Sequence, residues 1–287
     1  MRISGFSFVR NGVIYDYPFL ESLRSLLPLC DEVIVAVGRS DDDTLDRIRR
    51  LDSPAIRVIE TVWDDSLRTG GVVLARQTNI ALDAVRGDWA LYLQADEVLH
   101  EQDYAAIRSA IGNAAADPRV EGLLFPYLHF YGNYDHVGSS RRWYRHEVRA
   151  VRTGIGVRSW GDAQGFRIDG RKLKVLPVKA HIYHYGWVRP PRIQQKKQRS
   201  FHRLWHPDQW IQSHVGDSEE FDYRSGGRLQ KFTGTHPSVM RERISRQDWR
   251  FEYDPMKPGG PFKDRILDWL EDKTGWRPGE YRNYELL

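Results

Sequence analysis

The sequence predicts an α/β fold in which a mostly parallel, Rossmann-like central sheet is flanked by helices. First, short apolar segments alternate with amphipathic ones over residues 1–115, which is typical of a doubly wound sheet. Second, these segments lack apolar–polar alternation, which indicates strands buried on both faces. Third, polar residues directly follow the apolar segments. Ligands bind at the carboxyl ends of parallel strands, so we expect those polar residues to line one cleft.

Four strands and four helices are predicted in this part of the chain. The strands should cover residues 3–9, 33–37, 56–59 and 89–93. The helices should cover residues 18–27, a segment that begins near 44, and residues 73–85 and 102–115. Pro28 and Gly87 follow the first and third helices, where they end the helical pattern.

The character of the sequence changes after Gly122. Strand-like segments follow at residues 123–131, 147–152 and 174–178. Residues 192–206 are strongly basic and should form a helix. The remainder, rich in aromatic and turn residues, predicts a partly helical C-terminal extension with one helix over residues 262–270.

Composition limits the classes of protein and partner. The 287 residues can form one large domain with an extension. The 43 Lys and Arg residues exceed the 39 Asp and Glu residues by four, an excess that fits a small anionic substrate and does not require nucleic acid. Cys30 is the single cysteine, which excludes an internal disulfide and a cysteine-rich metal site. Without an apolar leader or an 18-residue apolar run, we expect a cytoplasmic protein.

The segment Gln94-Ala95-Asp96-Glu97 lies at the exit of the fourth predicted strand. Adjacent carboxylates in this position suit Mg²⁺ or Mn²⁺, which prefer oxygen ligands and complete their coordination with phosphate and water. A helix N-cap pair is the alternative, and the spacing leaves both interpretations open.

Two further polar groups follow strands or precede helices. In the cluster Ser40-Asp41-Asp42-Asp43-Thr44, Asp41 is expected to face the cleft while Asp43 or Thr44 caps a helix. Arg76 and Asn79 lie on the third predicted helix, behind the pair Gly70-Gly71. A helix N-terminus with an arginine suits a phosphate group, and a solvated helix face is the alternative.

Two segments later in the chain carry candidate catalytic or ligating groups. In His181-Ile182-Tyr183-His184, a strand would place the two histidines on opposite faces. One of them could complete a metal site begun by Asp96, and at least one should be structural. Asp162 follows Trp160 on a turn, where it is either a general base or an ordinary turn aspartate.

Together these segments resemble family 2 glycosyltransferases of bacterial type, which have the GT-A fold. The resemblance covers residues 1–190 and is strongest over the first hundred. Its motifs are Phe8-Val9-Arg10-Asn11, Ser40-Asp41-Asp42-Asp43-Thr44, Arg76-Gln77-Thr78-Asn79 and Gln94-Ala95-Asp96-Glu97. The family's Asp-x-Asp motif has Gln94 in its first position here, so the resemblance leaves Asp96 as the metal acid with Glu97 in reserve.

The resemblance implies that a sugar is moved from a nucleoside-diphosphate sugar to a hydroxyl of a glycan or lipid-linked acceptor, with inversion, in cell-surface glycan synthesis. It implies His184 as a further ligand of Mn²⁺ or Mg²⁺, with His181 second. It implies Asp162 as the general base, with Glu147 second. The donor would contact Arg10, Asn11, Ser40, Asp41, Asp43, Arg76, Asn79, Gln94 and Ala95.

The resemblance also implies a division of the chain. Residues 1–100 would bind the nucleotide, residues 101–190 the acceptor, and residues 191–287 would form a basic and aromatic extension. The basic run from Arg192 to Arg203 could pack as an amphipathic helix, bind an anionic acceptor or touch the inner membrane surface; we expect no nucleic-acid partner. Two alternatives stay open: a non-catalytic nucleotide-sugar-binding module, which Gln94 favours, and a nucleotidyltransferase.

Overall fold

The computed structural model describes residues 1–215, 218–254 and 262–287. Its centre is a parallel sheet with the strand order β3-β2-β1-β4. The four strands are β1 (Ile3–Val9), β2 (Glu32–Gly38), β3 (Ile56–Thr61) and β4 (Trp89–Tyr92). Phe6 in β1 pairs with Ile34 in β2 and with Tyr92 in β4. Every residue of β1 and β2 is buried, because both faces of the sheet are covered.

Helices cover both faces of this sheet. They are α1 (Phe19–Leu26), α2 (Thr44–Arg49), α3 (Val72–Asp83) and α4 (Tyr104–Ala116). Leu23 of α1 and Ile107 of α4 belong to one apolar cluster, whereas Leu74 of α3 belongs to a second cluster on the opposite face. The predicted α/β class with a mostly parallel central sheet is therefore confirmed.

The sheet continues past β4 with strands of both directions. The next four strands are β5 (Glu97–Leu99), β6 (Gly122–Tyr131), β7 (His136–Gly138) and β8 (His146–Arg152). Strand β8 is antiparallel to both β4 and β6, so it reverses the chain direction at the middle of the sheet. The short strands β5 and β7 are absent from the sequence prediction because three residues are too few to show a period.

A separate three-stranded sheet carries the turn that holds Asp162. Its strands are β9 (Val157–Trp160), β10 (Gly165–Ile168) and β11 (Arg171–Lys172), in the order β11-β10-β9. The chain then returns to the main sheet with β12 (Lys174–Pro177) and β13 (Ile182–Trp187), both parallel to β6. Strand β13 is also antiparallel to β5, which brings His184 opposite Glu97.

The C-terminal extension contributes to both the sheet and the cleft. Its helices and strands are α5 (Pro191–His202), α6 (Asp208–His214), β14 (Leu229–Lys231), α7 (Arg241–Ser245), α8 (Phe262–Thr274) and β15 (Glu285–Leu286). The predicted helix over residues 192–206 ends earlier, at His202, and the predicted helix over 262–270 runs on to Thr274. Strand β15 pairs with β12, so the end of the chain extends the main sheet.

No helix within residues 1–215, 218–254 and 262–287 is long and apolar enough to cross a membrane. The expected cytoplasmic location stays a prediction.

Candidate functional site

A cleft of about 620 Å³ lies at the carboxyl ends of the parallel strands. Its floor is formed by the ends of β1, β2 and β4, and α5 and the start of α6 form one wall. This is where a sheet of this type binds ligands. The predicted site residues that line it are Arg10, Asn11, Asp41, Gln94, Ala95, Asp96 and Asp162. The predicted site residues outside the lining are Ser40, Asp43, Arg76, Asn79, Glu97, Glu147, His181 and His184.

Asn11, which lines the cleft, ties the ends of β1 and β2 together. Its Oδ1 accepts from the backbone N–H of Asp41 at 2.8 Å, and its Nδ2 donates to Asp41 Oδ2 at 3.4 Å. Ser40 adds a further contact between the two strand ends, because its Oγ accepts from the Asn11 N–H at 2.9 Å. Asn11 has a φ of 53°, which asparagine tolerates better than most residues. The two strand ends thus present a fixed amide–carboxylate pair to the cleft.

The acidic cluster after β2 divides between the cleft and the scaffold. Asp42 accepts from the backbone N–H groups of Val13 at 3.0 Å and Ile14 at 2.7 Å, so it fixes the loop after β1. It also accepts from the N–H of Thr44 at the start of α2. The predicted contact of Asp43 with the nucleotide-sugar donor does not fit its position. The Asp43 side chain is at the surface, where it pairs with Arg47 at 2.9 Å. Asp41 alone of the three acids lines the cleft.

The side wall beside Arg10 is aromatic, a feature absent from the sequence prediction. The Arg10 guanidinium lies 5.5 Å from the ring centroid of Trp63, and its Nη1 donates to Asp65 at 2.7 Å. Trp63 packs against Phe8 at a centroid distance of 6.0 Å, and Tyr15 lines the same cleft. Flat aromatic faces of this kind suit a base or a sugar ring.

After β4, on the side of β1 away from β2, Asp96 is buried beside Lys197 of α5. The Lys197 Nζ lies 3.3 Å from Asp96 Oδ2 and donates to the carbonyl oxygen of Gly186 at 2.9 Å. Burial by itself would raise the pKa of Asp96, but the charge of Lys197, with smaller contributions from His184 and Arg189, holds that pKa at about 2. Burial and the nearby charge of Arg189 lower the pKa of Lys197 to about 7.

A chain of hydrogen bonds orients His184 toward Asp96. His129 Nε2 lies 2.7 Å from the carbonyl oxygen of Tyr144, which can only accept, so this nitrogen carries the proton. Burial lowers the pKa of both histidines, His129 the more strongly, which favours neutral rings. His129 Nδ1 must then accept from His184 Nδ1–H at 2.9 Å. His184 Nε2 therefore carries a lone pair, which receives no hydrogen bond from the described residues and lies 3.9 Å from Asp96 Oδ2.

These two groups fit one side of a divalent metal site. A ligating histidine usually donates its other ring N–H to a fixed acceptor, as His184 does to His129. Gly186 keeps the space beside them open: a methyl group there would collide with His184 Nε2 and lie 2.9 Å from Asp96 Oδ2. Among the described residues, no group of three His, Cys, Asp or Glu side chains could hold a metal by itself. Phosphate and water would have to supply the remaining ligands.

Glu97 does not fit its predicted role as a reserve ligand, since its oxygens are already paired within the core. Arg149 donates to both of them at 2.8 Å, and Tyr127 O–H donates to Oε1 at 2.8 Å. The backbone N–H of Gln94 donates to Oε2 at 3.0 Å. His181 also does not fit, because it is exposed ahead of β13 and its backbone N–H bonds to Asp103.

Arg76 and Asn79 also lie apart from the cleft. Their predicted contacts with the nucleotide-sugar donor do not fit these positions. Arg76 is exposed and lies 3.8 Å from Asp64. Asn79 Oδ1 accepts from the Ser159 N–H at 2.8 Å, which attaches α3 to β9. The helix begins at Val72, and the N-cap residue before it is Gly71, which has a left-handed φ of +67°. The Gly71 N–H donates to the carbonyl oxygen of Leu204 at 3.2 Å. The glycine pair thus serves a backbone contact.

The two predicted general bases have different surroundings. Asp162 lines the cleft on the turn between β9 and β10, and burial raises its pKa. The backbone N–H of Gln164 donates to its Oδ1 at 3.3 Å. Glu147 in β8 does not line the cleft and is almost fully buried. Burial raises the pKa of Glu147 to about 7, against its ordinary value of 4.5. Because Glu147 is outside the cleft, this raised pKa affects the stability of the protein and does not fit the predicted role as a general base.

We expect Glu147→Gln to flatten the dependence of stability on pH. The raised pKa means that the folded protein keeps a proton that the unfolded chain releases, so stability is full below pH 4.5 and falls as pH rises to about 7. The variant should be more stable than wild type by about 1–3 kcal/mol at pH 8.5, and should lose this advantage at pH 4.5. Urea unfolding at the two pH values measures this. A variant less stable than wild type at pH 8.5 would contradict it.

Comparisons with known proteins give structural neighbours only: no family model and no curated protein matches the sequence. TarS from S. aureus is 17% identical over 70% of this chain and 39% of TarS, with a TM-score of 0.43. TarS 1–349 in complex with UDP-GlcNAc is 15% identical over 70% of this chain and 65% of that one, with a TM-score of 0.42.

Glucosyl-3-phosphoglycerate synthase from Mycobacterium tuberculosis, in complex with Mn²⁺, UDP and phosphoglyceric acid, is 23% identical. That alignment covers 45% of this chain and 43% of the synthase, with a TM-score of 0.30. The chain thus spans between 39% and 65% of the length of these solved structures.

Proposed function

We propose that the protein is a GT-A glycosyltransferase that binds a nucleoside-diphosphate sugar in the cleft and transfers the sugar to an acceptor hydroxyl. One observation carries the proposal. Asp96 at the end of β4 lies beside His184 Nε2 and the Lys197 ammonium, and the Asn11–Asp41 pair lines the same cleft at the ends of β1 and β2. The Lys197 ammonium suits a diphosphate, and the amide–carboxylate pair suits a base or ribose.

The donor is proposed to lie along the strand ends. Its base and ribose would contact Asn11 and Asp41, with Trp63 and Tyr15 as flat neighbours. Its diphosphate would lie next to Lys197 and to the metal ion that Asp96 and His184 would hold. The amide of Gln94 lines the cleft close to Asp96, and it can donate to and accept from a sugar or ribose hydroxyl.

Asp162 is the proposed general base. Its carboxylate lines the cleft, and its raised pKa brings it closer to the range in which a base works near neutral pH. It would take the proton of the acceptor hydroxyl as that oxygen forms a bond to the anomeric carbon. The bond from this carbon to the phosphate oxygen breaks in the same step, and the nucleoside diphosphate leaves with inversion.

Asp96 and His184 would hold Mn²⁺ or Mg²⁺ together with the donor phosphates. When bound, the ion would neutralise charge on the leaving diphosphate. Lys197 lines the same part of the cleft and would add a positive charge there.

The chain is proposed to divide its work by segment. Residues 1–100 supply the donor contacts, and residues 101–190 supply Asp162, His184 and the acceptor side. The extension beyond residue 190 is part of the donor site, because Lys197, Ser200 and Phe201 of α5 line the cleft.

Calorimetric titration with UDP, GDP, CDP and dTDP, each with and without Mn²⁺, tests the proposal. We expect one nucleotide to bind more tightly with the ion. Turnover of the matching nucleotide sugar should release a nucleoside diphosphate. Formation of a nucleoside triphosphate and a sugar 1-phosphate from the nucleotide sugar and added pyrophosphate would identify a nucleotidyltransferase instead. Asp162→Asn should keep donor binding but lower turnover by about 10²- to 10⁴-fold. Failure of all four nucleotides to bind would overturn the proposal, and binding without turnover would favour the non-catalytic module.

A further inference from the structure

Lys197 differs from its basic neighbours on and next to α5 in the direction of its side chain. The Lys197 side chain is 13% exposed, whereas those of Arg192 and Arg203 are 74% and 66% exposed. A lysine is seldom buried unless a partner holds it. Here Asp96, the Gly186 carbonyl and the face of Tyr17, at 5.0 Å, surround the ammonium. The positive charge of Lys197 therefore lies inside the cleft, where it pairs with Asp96, the carboxylate proposed to bind the metal ion.

The ammonium and a divalent ion would need the same oxygen. Lys197 Nζ lies 3.3 Å from Oδ2 of Asp96, and His184 Nε2 lies 3.9 Å from that same Oδ2. Two cations that share one carboxylate oxygen inside a buried site repel each other strongly, because the low dielectric does not screen them. Metal binding at Asp96 is thus opposed as long as Lys197 stays on it.

The same side chain has another partner available once a donor is bound. Lys197 lines the cleft, and its flexible four-carbon stem can turn the ammonium from Asp96 to a phosphate group in that cleft. With the diphosphate present, moving Lys197 would relieve the repulsion and would also add a contact to the donor. Metal and nucleotide would then each favour the other's binding.

We propose that Lys197 is a tethered cation that competes with the divalent metal for Asp96 and moves to the diphosphate when metal and nucleotide bind together. This inference rests on the proposed donor site. It assigns Lys197 two contacts, one in the free protein and one in the complex. It explains why Asp96 lies beside a possible metal ligand, His184, and is also paired with the Lys197 ammonium.

Mn²⁺ binding, followed by the electron paramagnetic resonance of the free ion, tests this without turnover. Without nucleotide at pH 6, below the pKa of about 7 of Lys197, Lys197→Met should bind Mn²⁺ at least tenfold more tightly than wild type. Lys197→Arg, which keeps the charge, should bind it as weakly as wild type. Lys196→Met is the matched control, because Lys196 is the exposed neighbour on the same helix and its loss changes the net charge equally. Its Mn²⁺ affinity should stay within twofold of wild type.

A second measurement uses the nucleoside diphosphate that wild type binds best. The factor by which this nucleotide tightens Mn²⁺ binding should fall at least tenfold in Lys197→Met and stay unchanged in Lys196→Met. If Lys197→Met binds Mn²⁺ alone no better than wild type, or if neither binds it detectably, the inference is overturned. The measurement without nucleotide tests only whether Lys197 competes with Mn²⁺ for Asp96. Failure of every nucleotide to bind would therefore count against the donor site and not against this competition.

Discussion

Asp96→Asn should abolish metal-dependent nucleotide binding and lower sugar transfer by on the order of 10²- to 10³-fold. The substitution keeps the shape of the side chain but removes the charge that faces His184 Nε2 at 3.9 Å. An amide oxygen is a weaker ligand for a hard divalent ion than a carboxylate. Calorimetry with the preferred nucleoside diphosphate and Mn²⁺ measures the binding, and nucleotide release measures the transfer.

Asp43→Asn is the matched control for that experiment. Asp43 belongs to the acidic cluster after β2, but it pairs with Arg47 at the surface and does not line the cleft. Its loss should leave nucleotide affinity within about twofold, because exposed pairs contribute little. Far-ultraviolet circular dichroism should show that both variants are folded. Wild-type affinity in Asp96→Asn would exclude Asp96 from the donor site.

The second large effect is on stability and concerns the neighbouring acid. Glu97→Gln should lower the free energy of unfolding by about 3–5 kcal/mol, because it leaves the Arg149 guanidinium buried without its countercharge. Both side chains are fully buried, and two hydrogen bonds of 2.8 Å join them. Urea unfolding followed by tryptophan fluorescence measures the change.

Two further variants separate this buried pair from an ordinary one. In Glu97→Gln with Arg149→Met, no unpaired charge remains, so most of the lost stability should return. Glu60→Gln breaks the exposed Arg49–Glu60 pair, whose side chains are 56% and 62% exposed, and should cost no more than about 1 kcal/mol. A loss below about 1 kcal/mol in Glu97→Gln would show that the buried Glu97–Arg149 pair contributes no more to stability than an exposed pair does.

The difference between Asp96 and Glu97 shows where the sequence pattern loses its power to predict. Both acids follow the same apolar strand, and nothing local distinguishes a ligand from a core ion pair. Glu97 begins β5, which pairs with β13 and turns this carboxylate toward Arg149. The partner lies 52 residues further along the chain. A pattern within ten residues therefore locates the acidic pair but does not assign its two roles.

Arg76 and Asn79 show a similar loss on a helix. Their spacing of three puts them on one face of α3, but the sequence does not decide whether that face meets the cleft. Packing decides it, because Asn79 bonds to the edge of β9 while Leu74 on α3 lines the cleft. Gly70 and Gly71 before them have positive φ angles, and the Gly71 N–H donates to the carbonyl oxygen of Leu204.

The sequence alone determined the α/β class, the parallel strands of the first half, and the position of Asn11, Asp41 and Asp96 at their ends. It could do so because burial on both faces leaves a local apolar pattern and because parallel strands end at one edge. Only the tertiary structure decided that Lys197, 101 residues after Asp96, neutralises that carboxylate. It also brought His129 against His184. Contacts between distant segments depend on how helices and strands pack, and no periodic pattern in the chain records that packing.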